Sequence, residues 1–189
     1  MTYYERNLPH WHPENAAIFL TWRLHGTWAK FVKATQAGMP VPRDFADFDR
    51  TMDFATSGPK WLGEPAIAQC VVDAFRFGER HLKLYTLVAF CVMPNHVHIV
   101  VEPLAPLPKI TKSIKGFTAR TANQILGRTG ERFWQDDSYD RWIRNADQRG
   151  SIVEYIENNP VSAGLIEAAE QWPWSSASHA ITVQLPAAL

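Results

Sequence analysis

Apolar and polar positions divide this chain into short strands and longer helical stretches. Residues 16–24 (AAIFLTWRL) form a β-prone run that closes at Gly26, the pattern of a first strand. Across 66–81, Ile67, Cys70, Val71, Ala74 and Phe75 recur at three- and four-residue intervals, one stripe of a helix. Residues 84–93 are almost wholly apolar and predict a second strand. Pro94-Asn95 makes a turn, and 96–101 predicts the hairpin partner. Helical spacing returns over 109–126, with Ile110, Ile114, Phe117 and Ile125 assigned inward. Residues 133–143 read as a fourth strand or an irregular extended segment. A third helix is expected over 147–158, stopped at Asn159-Pro160 because the residue before proline is pushed out of the helical region. Only between 27 and 65 does periodicity fail. There Gly38, Pro40, Pro42, Gly58, Pro59, Gly63 and Pro65 predict a loop-rich excursion with one short helix near 47–54.

The order strand, helix, strand, strand, helix, strand predicts an α+β fold. It is expected to be a ferredoxin-like split βαβ antiparallel sheet with helices on one face and an added C-terminal helix. At 189 residues one domain (1–189) is expected, large enough to bury a core without staples. No apolar run approaches the roughly 20 residues a membrane helix needs, and the first residues lack a signal-peptide core. Cys70 and Cys91 show no metal-type spacing, so a reducing, cytoplasmic setting is the expectation.

Net charge is zero, which favours no anionic partner for the chain as a whole. Its distribution changes the picture. From 103 to 130 there are five basic residues (Lys109, Lys112, Lys115, Arg120, Arg128) and no acidic one, while Asp44, Asp47, Asp49 and Asp53 cluster earlier. A basic flank on a neutral protein suits an anionic partner, although a solvated helix face produces the same pattern. Eight tryptophans read mainly as core and loop anchors.

The chemistry-bearing candidates lie in two strings. In MPNHVHIVVEP (93–103), His96 and His98 are two apart on a predicted strand and so project from one face. Two imidazoles there can be two arms of a divalent-metal site or simply part of a solvated face. In the last helix Tyr155 and Asn159 are four apart and share a face. A tyrosine can be a covalent nucleophile, and an amide oxygen is a hard ligand suited to Mg²⁺ or Mn²⁺. The plain alternative is a core tyrosine followed by a capping asparagine. Tyr139 is the rival nucleophile, but Asp137 and Asp140 beside it would repel a phosphate. His10 and His12 have the same spacing as the main pair. They lie between Pro9 and Pro13, where no regular strand is expected, and read as a surface or DNA-contacting arm.

Five strings in order resemble one family: LPHWHPENAAIFLTWRLHG (8–26), MPNHVHIVVEP, SIKGFTARTANQILGRTGERFWQDDSYDRWIR (113–144), YIENNPVSAGLI (155–166) and WPWSS (172–176). They are similar to the REP-associated tyrosine transposases, a branch of the HUH single-strand transposases. The resemblance covers nearly the whole chain apart from 27–59. It implies His96, His98 and Asn159 as ligands of Mg²⁺ or Mn²⁺. It implies Tyr155 as the nucleophile that keeps a 5′-phosphotyrosine and releases a 3′-OH. The implied partner is single-stranded DNA folded into REP-type hairpins, with the protein a monomer or homodimer. Backbone contacts to that DNA are expected from Lys109, Lys112, Lys115 and Arg120, with Arg141 and Arg144 adding to the surface. Where many relatives carry a histidine, this chain has Arg141, so no role is carried over from that histidine. Trp134-Gln135 is a family marker with an expected structural role. Two other readings remain: a domesticated hairpin-binding protein that does not cut, and a non-covalent metal hydrolase built on the histidine pair.

Overall fold

The computed structural model describes residues 2–5, 9–12, 16–27, 58–136 and 138–180. Most of the 27–65 excursion, including the short helix expected near 47–54, lies outside the described residues. In chain order the elements are β1 (Thr2–Glu5), β2 (Pro9–His12), β3 (Ile18–Arg23), α1 (Pro65–Arg80), β4 (Tyr85–Val92) and β5 (His96–Pro103). They continue with α2 (Leu107–Ile125), β6 (Tyr139–Trp142), α3 (Ala146–Ser162) and α4 (Ser176–Ala180). Four strands form one sheet in the order β4-β5-β3-β6, every neighbouring pair antiparallel. From β3 onward this is the split βαβ arrangement read from the sequence, with α3 added after the last strand. No helix among the described residues is long and apolar enough to cross a membrane.

Each sheet face buries a different layer. Ile18, Leu20, Trp22, Val97, Ile99 and Val101 face α1 and α2, meeting Ile67, Val71, Phe75, Ile110 and Ile114. Phe19, Ala89, Cys91, Met93 and Val100 face the other way and pack on Ile152 and Ile156 of α3. A bulge between Leu87 and Ala89 decides which residues of β4 go where. Tyr85 and Leu87 point to the α1–α2 layer, but after the bulge Ala89 and Cys91 point to α3. Regular alternation would have kept all four on one face, and the extra residue inverts it.

The helices begin and end for identifiable reasons. Pro65 opens α1, where its missing N–H is not needed. Asn145 caps α3 by accepting from the Gln148 N–H at 2.8 Å, while Gln148 Oε1 accepts from the Arg144 N–H. Contrary to expectation, α3 does not stop before Pro160. The proline sits in the last turn, where only one backbone bond is forfeited. The helix ends instead at Gly164 (φ 69°). Leu165 N–H bonds Pro160 O and Gly164 N–H bonds Val161 O, the two links of a Schellman close.

Two further expectations are corrected. Phe117 and Ile125 of α2 are half exposed, and the inward stripe is Leu107, Ile110, Ile114, Thr118 and Ala122. Thr118 can occupy that stripe because its hydroxyl donates to Ile114 O and accepts from Trp134 Nε1. His10 and His12 do lie on a strand: β2 pairs with β1 in register Thr2↔His12 to Glu5↔Pro9. Pro9 is its first residue, a position where a strand tolerates proline.

Candidate active site

The site is built on the α3-facing side of β5. His96 and His98 are both fully buried, and β3 supplies their neighbours: Arg23 stands opposite His96 and Thr21 opposite His98. On the other side of β5, Cys91 is the ladder partner of His98. The two rings meet edge to face, and their Nε2 atoms converge to 2.9 Å. Each outer nitrogen is held as well. His96 Nδ1 lies 2.6 Å from Asn95 Oδ1, and His98 Nδ1 lies 2.8 Å from Thr21 Oγ1. Phe19 stacks on His98 with ring centres 5.6 Å apart. Burial pushes the His98 pKa down to about 3, so the ring is neutral at physiological pH.

Two imidazoles, each held through Nδ1 and aiming Nε2 at a shared point, suit a divalent cation. Among the described residues no cluster of three or more His, Cys, Asp or Glu accompanies them. From the described residues, further ligands would be amide or phenol oxygens, completed by water or substrate. A mixed imidazole and oxygen set suits Mn²⁺ better than Mg²⁺, which prefers oxygen alone.

Helix α3 lies over this face. Ile152 and Ile156 enter the cluster with Phe19, Cys91, Met93 and Val100, and the half-buried Tyr155 packs against the same cluster. Asn159, one turn further, is buried. Two polar links tie the helix down. Arg149 pairs with Glu102 of β5 at 2.6 Å, and Glu157 accepts from Ser176 Oγ, which itself bonds the backbone of Phe90. The WPWSS segment closes the outer edge of β4, with Val92 N–H donating to Trp174 O and Trp172 Nε1 donating to Val92 O.

Tyr139 shares the histidine face. It pairs with Thr21 in the β3–β6 ladder and packs edge-on against Phe19, 6.4 Å between centres. Arg141, opposite Phe19, is on this face too. The other basic candidates are elsewhere. Lys109, Lys112 and Arg120 are exposed on α2, in the layer on the far side of the sheet. Lys115 is half-buried and donates to Gln135 O and Asp136 O, which anchors the segment leading into β6. Arg144 is exposed and lies over the Trp142 ring, 5.5 Å from its centre. Trp134 is buried in the core, in keeping with a structural role. Sequence reasoning passed over Thr21, Arg23 and Asn95. Thr21 had a legible signal, since it is the polar residue inside the apolar run IFLTW.

Comparison with known proteins shows what the chain is similar to. Residues 79–159, which carry His96, His98, Tyr155 and Asn159, match the family described as IS200-like transposases. A protein of Haemophilus influenzae strain Rd KW20, provisionally named a REP-associated tyrosine transposase, is 24% identical over 107 residues. That match covers 49% of this chain and 58% of the relative, so the chain spans little more than half the length of that protein. A solved structure of a REP-associated tyrosine transposase bound to a REP hairpin aligns over 99% of this chain and 89% of its own. Its TM-score is 0.57 at 18% identity, which establishes a shared fold. A transposase candidate from Deinococcus radiodurans R1 covers 82% of this chain and 96% of its own at 18% identity, but its TM-score of 0.39 is too low to define the fold. The chain thus resembles the REP-associated tyrosine transposases in its motifs and in its fold.

Proposed function

We propose that this chain is a divalent-metal-dependent endonuclease and strand transferase acting on single-stranded DNA folded into REP-type hairpins. The observation that carries the proposal is the convergence of His96 Nε2 and His98 Nε2 on the sheet face covered by the tyrosine helix. In this reading His96, His98 and the Asn159 amide hold Mg²⁺ or Mn²⁺. When bound, the ion supplies positive charge at a non-bridging oxygen of the scissile phosphate. The Tyr155 phenol oxygen attacks phosphorus in line with the leaving 3′ oxygen. The phenol loses its proton, the P–O3′ bond breaks, and the 3′ oxygen leaves as a hydroxyl. The 5′ end stays on Tyr155, so a second 3′-OH can attack and reseal the strand without an external energy source.

The basic residues divide into two sets in this reading. Arg141 lies on the same sheet face as the histidines, opposite Phe19, and suits contacts with DNA crossing that face. Lys109, Lys112 and Arg120 suit a stretch of DNA backbone running over the opposite layer. Lys115 and Arg144 are already engaged, and their contribution to DNA binding is secondary.

The test is a nicking assay on an end-labelled REP-type hairpin with Mn²⁺, Mg²⁺ or chelator. Wild type should leave a covalent protein–DNA adduct that chelator suppresses. Tyr155→Phe should form none while still binding the hairpin, and Tyr139→Phe should retain it. An adduct in Tyr155→Phe would transfer the nucleophile elsewhere. Tight hairpin binding with no cleavage under any ion would instead favour a domesticated, non-cutting binder. Turnover that survives Tyr155→Phe without any adduct would favour a non-covalent hydrolase.

A further inference from the structure

The hydrogen bonds around the histidine pair assign its protons, and the assignment has a consequence for cation binding. Asn95 Oδ1 can only accept, so His96 carries its proton on Nδ1 and presents a lone pair at Nε2. His98 Nε2 is 2.9 Å from that lone pair. With His96 neutral and no cation between the rings, His98 carries its proton on Nε2 and donates it to His96. Its Nδ1 is then an acceptor, and Thr21 Oγ1 at 2.8 Å must donate. A cation held by both Nε2 atoms requires the reverse at His98, with the proton on Nδ1 and Thr21 Oγ1 accepting it.

We propose that the Thr21 hydroxyl is a reversible positioning partner that lets His98 exchange tautomers when a divalent cation binds, while Asn95 locks His96. This rests on the reading of the pair as a cation site. The exchange balances: as the cation takes the Nε2 lone pair, His98 releases the Nε2 proton to water and takes one from water at Nδ1, so the ring stays neutral and no net proton is released. At Thr21 only the hydroxyl hydrogen turns, from donating to Nδ1 to leaving the oxygen free to accept from it. A carbonyl or carboxylate at position 21 would hold His98 in one state, whereas a hydroxyl both donates and accepts. Thr21 and His98 are both buried and directly opposed in the β3–β5 ladder, so the partner is held in place.

The test is nitrogen-15 NMR of ring-labelled histidines, in chelator and then with Mg²⁺ or the diamagnetic probe Zn²⁺ alone. His96 should show Nδ1–H throughout, and His98 should pass from Nε2–H to Nδ1–H. Cation-induced shifts at both rings with His98 in an unchanged tautomer would overturn the exchange and leave the cation site standing. No response to either ion would remove the cation site, and the exchange with it. Thr21→Val, close in shape, should weaken Zn²⁺ binding by about 10- to 100-fold, the usual effect of losing such a partner. Thr21→Ser should restore both affinity and exchange. Equal affinity in valine, serine and wild type would refute the role of the hydroxyl.

Discussion

Replacing Ile156 with alanine tests whether docking of α3 places the nucleophile. Ile156 is fully buried among Phe19, Cys91, Met93, Val100 and Ile152, directly after Tyr155 in the chain. The truncation removes three carbons, a transfer loss of about 2.4 kcal/mol at ~0.8 kcal/mol per methylene. An incompletely collapsed cavity adds to this, and the total should reach about 3–4 kcal/mol, within the range for such core truncations. Urea denaturation measures it, with the exposed Glu154→Ala on the same helix expected within about 0.5 kcal/mol of wild type. Loosening the helix by even ~1 Å should lower cleavage by roughly 100-fold, because in-line attack depends steeply on placement. Cleavage should be assayed at a temperature where the variant remains folded, with hairpin affinity measured alongside. A stability loss below about 1 kcal/mol would refute the packing argument. A fully destabilised variant that cleaves at the wild-type rate would sever helix docking from catalysis.

Gly78→Ala should destabilise the chain by about 1–3 kcal/mol, since an added Cβ would stand 2.9 Å from Tyr85 Cζ in the buried contact between α1 and β4. A melting temperature equal to wild type would show that the two elements can part freely. Acid should weaken the cation-free protein. The folded-state pKa of His98, about 3, lies below its unfolded value near 6.5, so its contribution is fully present above pH 6.5 and is lost as pH falls towards 3. The slope attributable to His98 is about 1.4 kcal/mol per pH unit, and its absence in chelator-treated wild type relative to His98→Gln would contradict the burial argument. Lys115→Met should cost about 1 kcal/mol by releasing the carbonyls of Gln135 and Asp136, whereas the exposed Lys112→Met should be near neutral. In hairpin binding the order reverses: Lys112→Met should reduce the salt slope by about one and Lys115→Met should not. A wild-type salt slope in Lys112→Met would remove that face of α2 from the DNA interface.

Local pattern carried much of this structure. Stretches such as 66–81 and 84–93 declare their elements because a helix or strand repeats the same nearest-neighbour geometry every few residues. The pairing of β4 with β5 follows from the short Pro94-Asn95 turn. The errors fall where local rules met a tertiary opportunity. Pro160 was read as a stop, but at the end of a helix its one missing bond is tolerated and Gly164 makes the closure. Phe117 and Ile125 were assigned inward on hydrophobicity alone. Thr118, whose hydroxyl found partners in Ile114 and Trp134, took the buried position instead. His10 and His12 were denied a strand on account of the prolines, yet Pro9 only begins β2.

By itself the sequence determined the order of elements from β3 to α3 and placed His96 and His98 on one face, because strand alternation needs no information beyond the strand. It also put Tyr155 and Asn159 one helical turn apart. It could not say which layer would cover the histidines. That was decided by long-range packing: Ile152 and Ile156 bring α3 to the face of Phe19 and Val100, while α2 and its lysines go to the other. Nor could it foresee the β4 bulge that turns Cys91 towards His98, or the ladder that brings Thr21 within 2.8 Å of its ring. The Thr21–His98 contact joins residues 77 positions apart, and only the folded sheet sets its register.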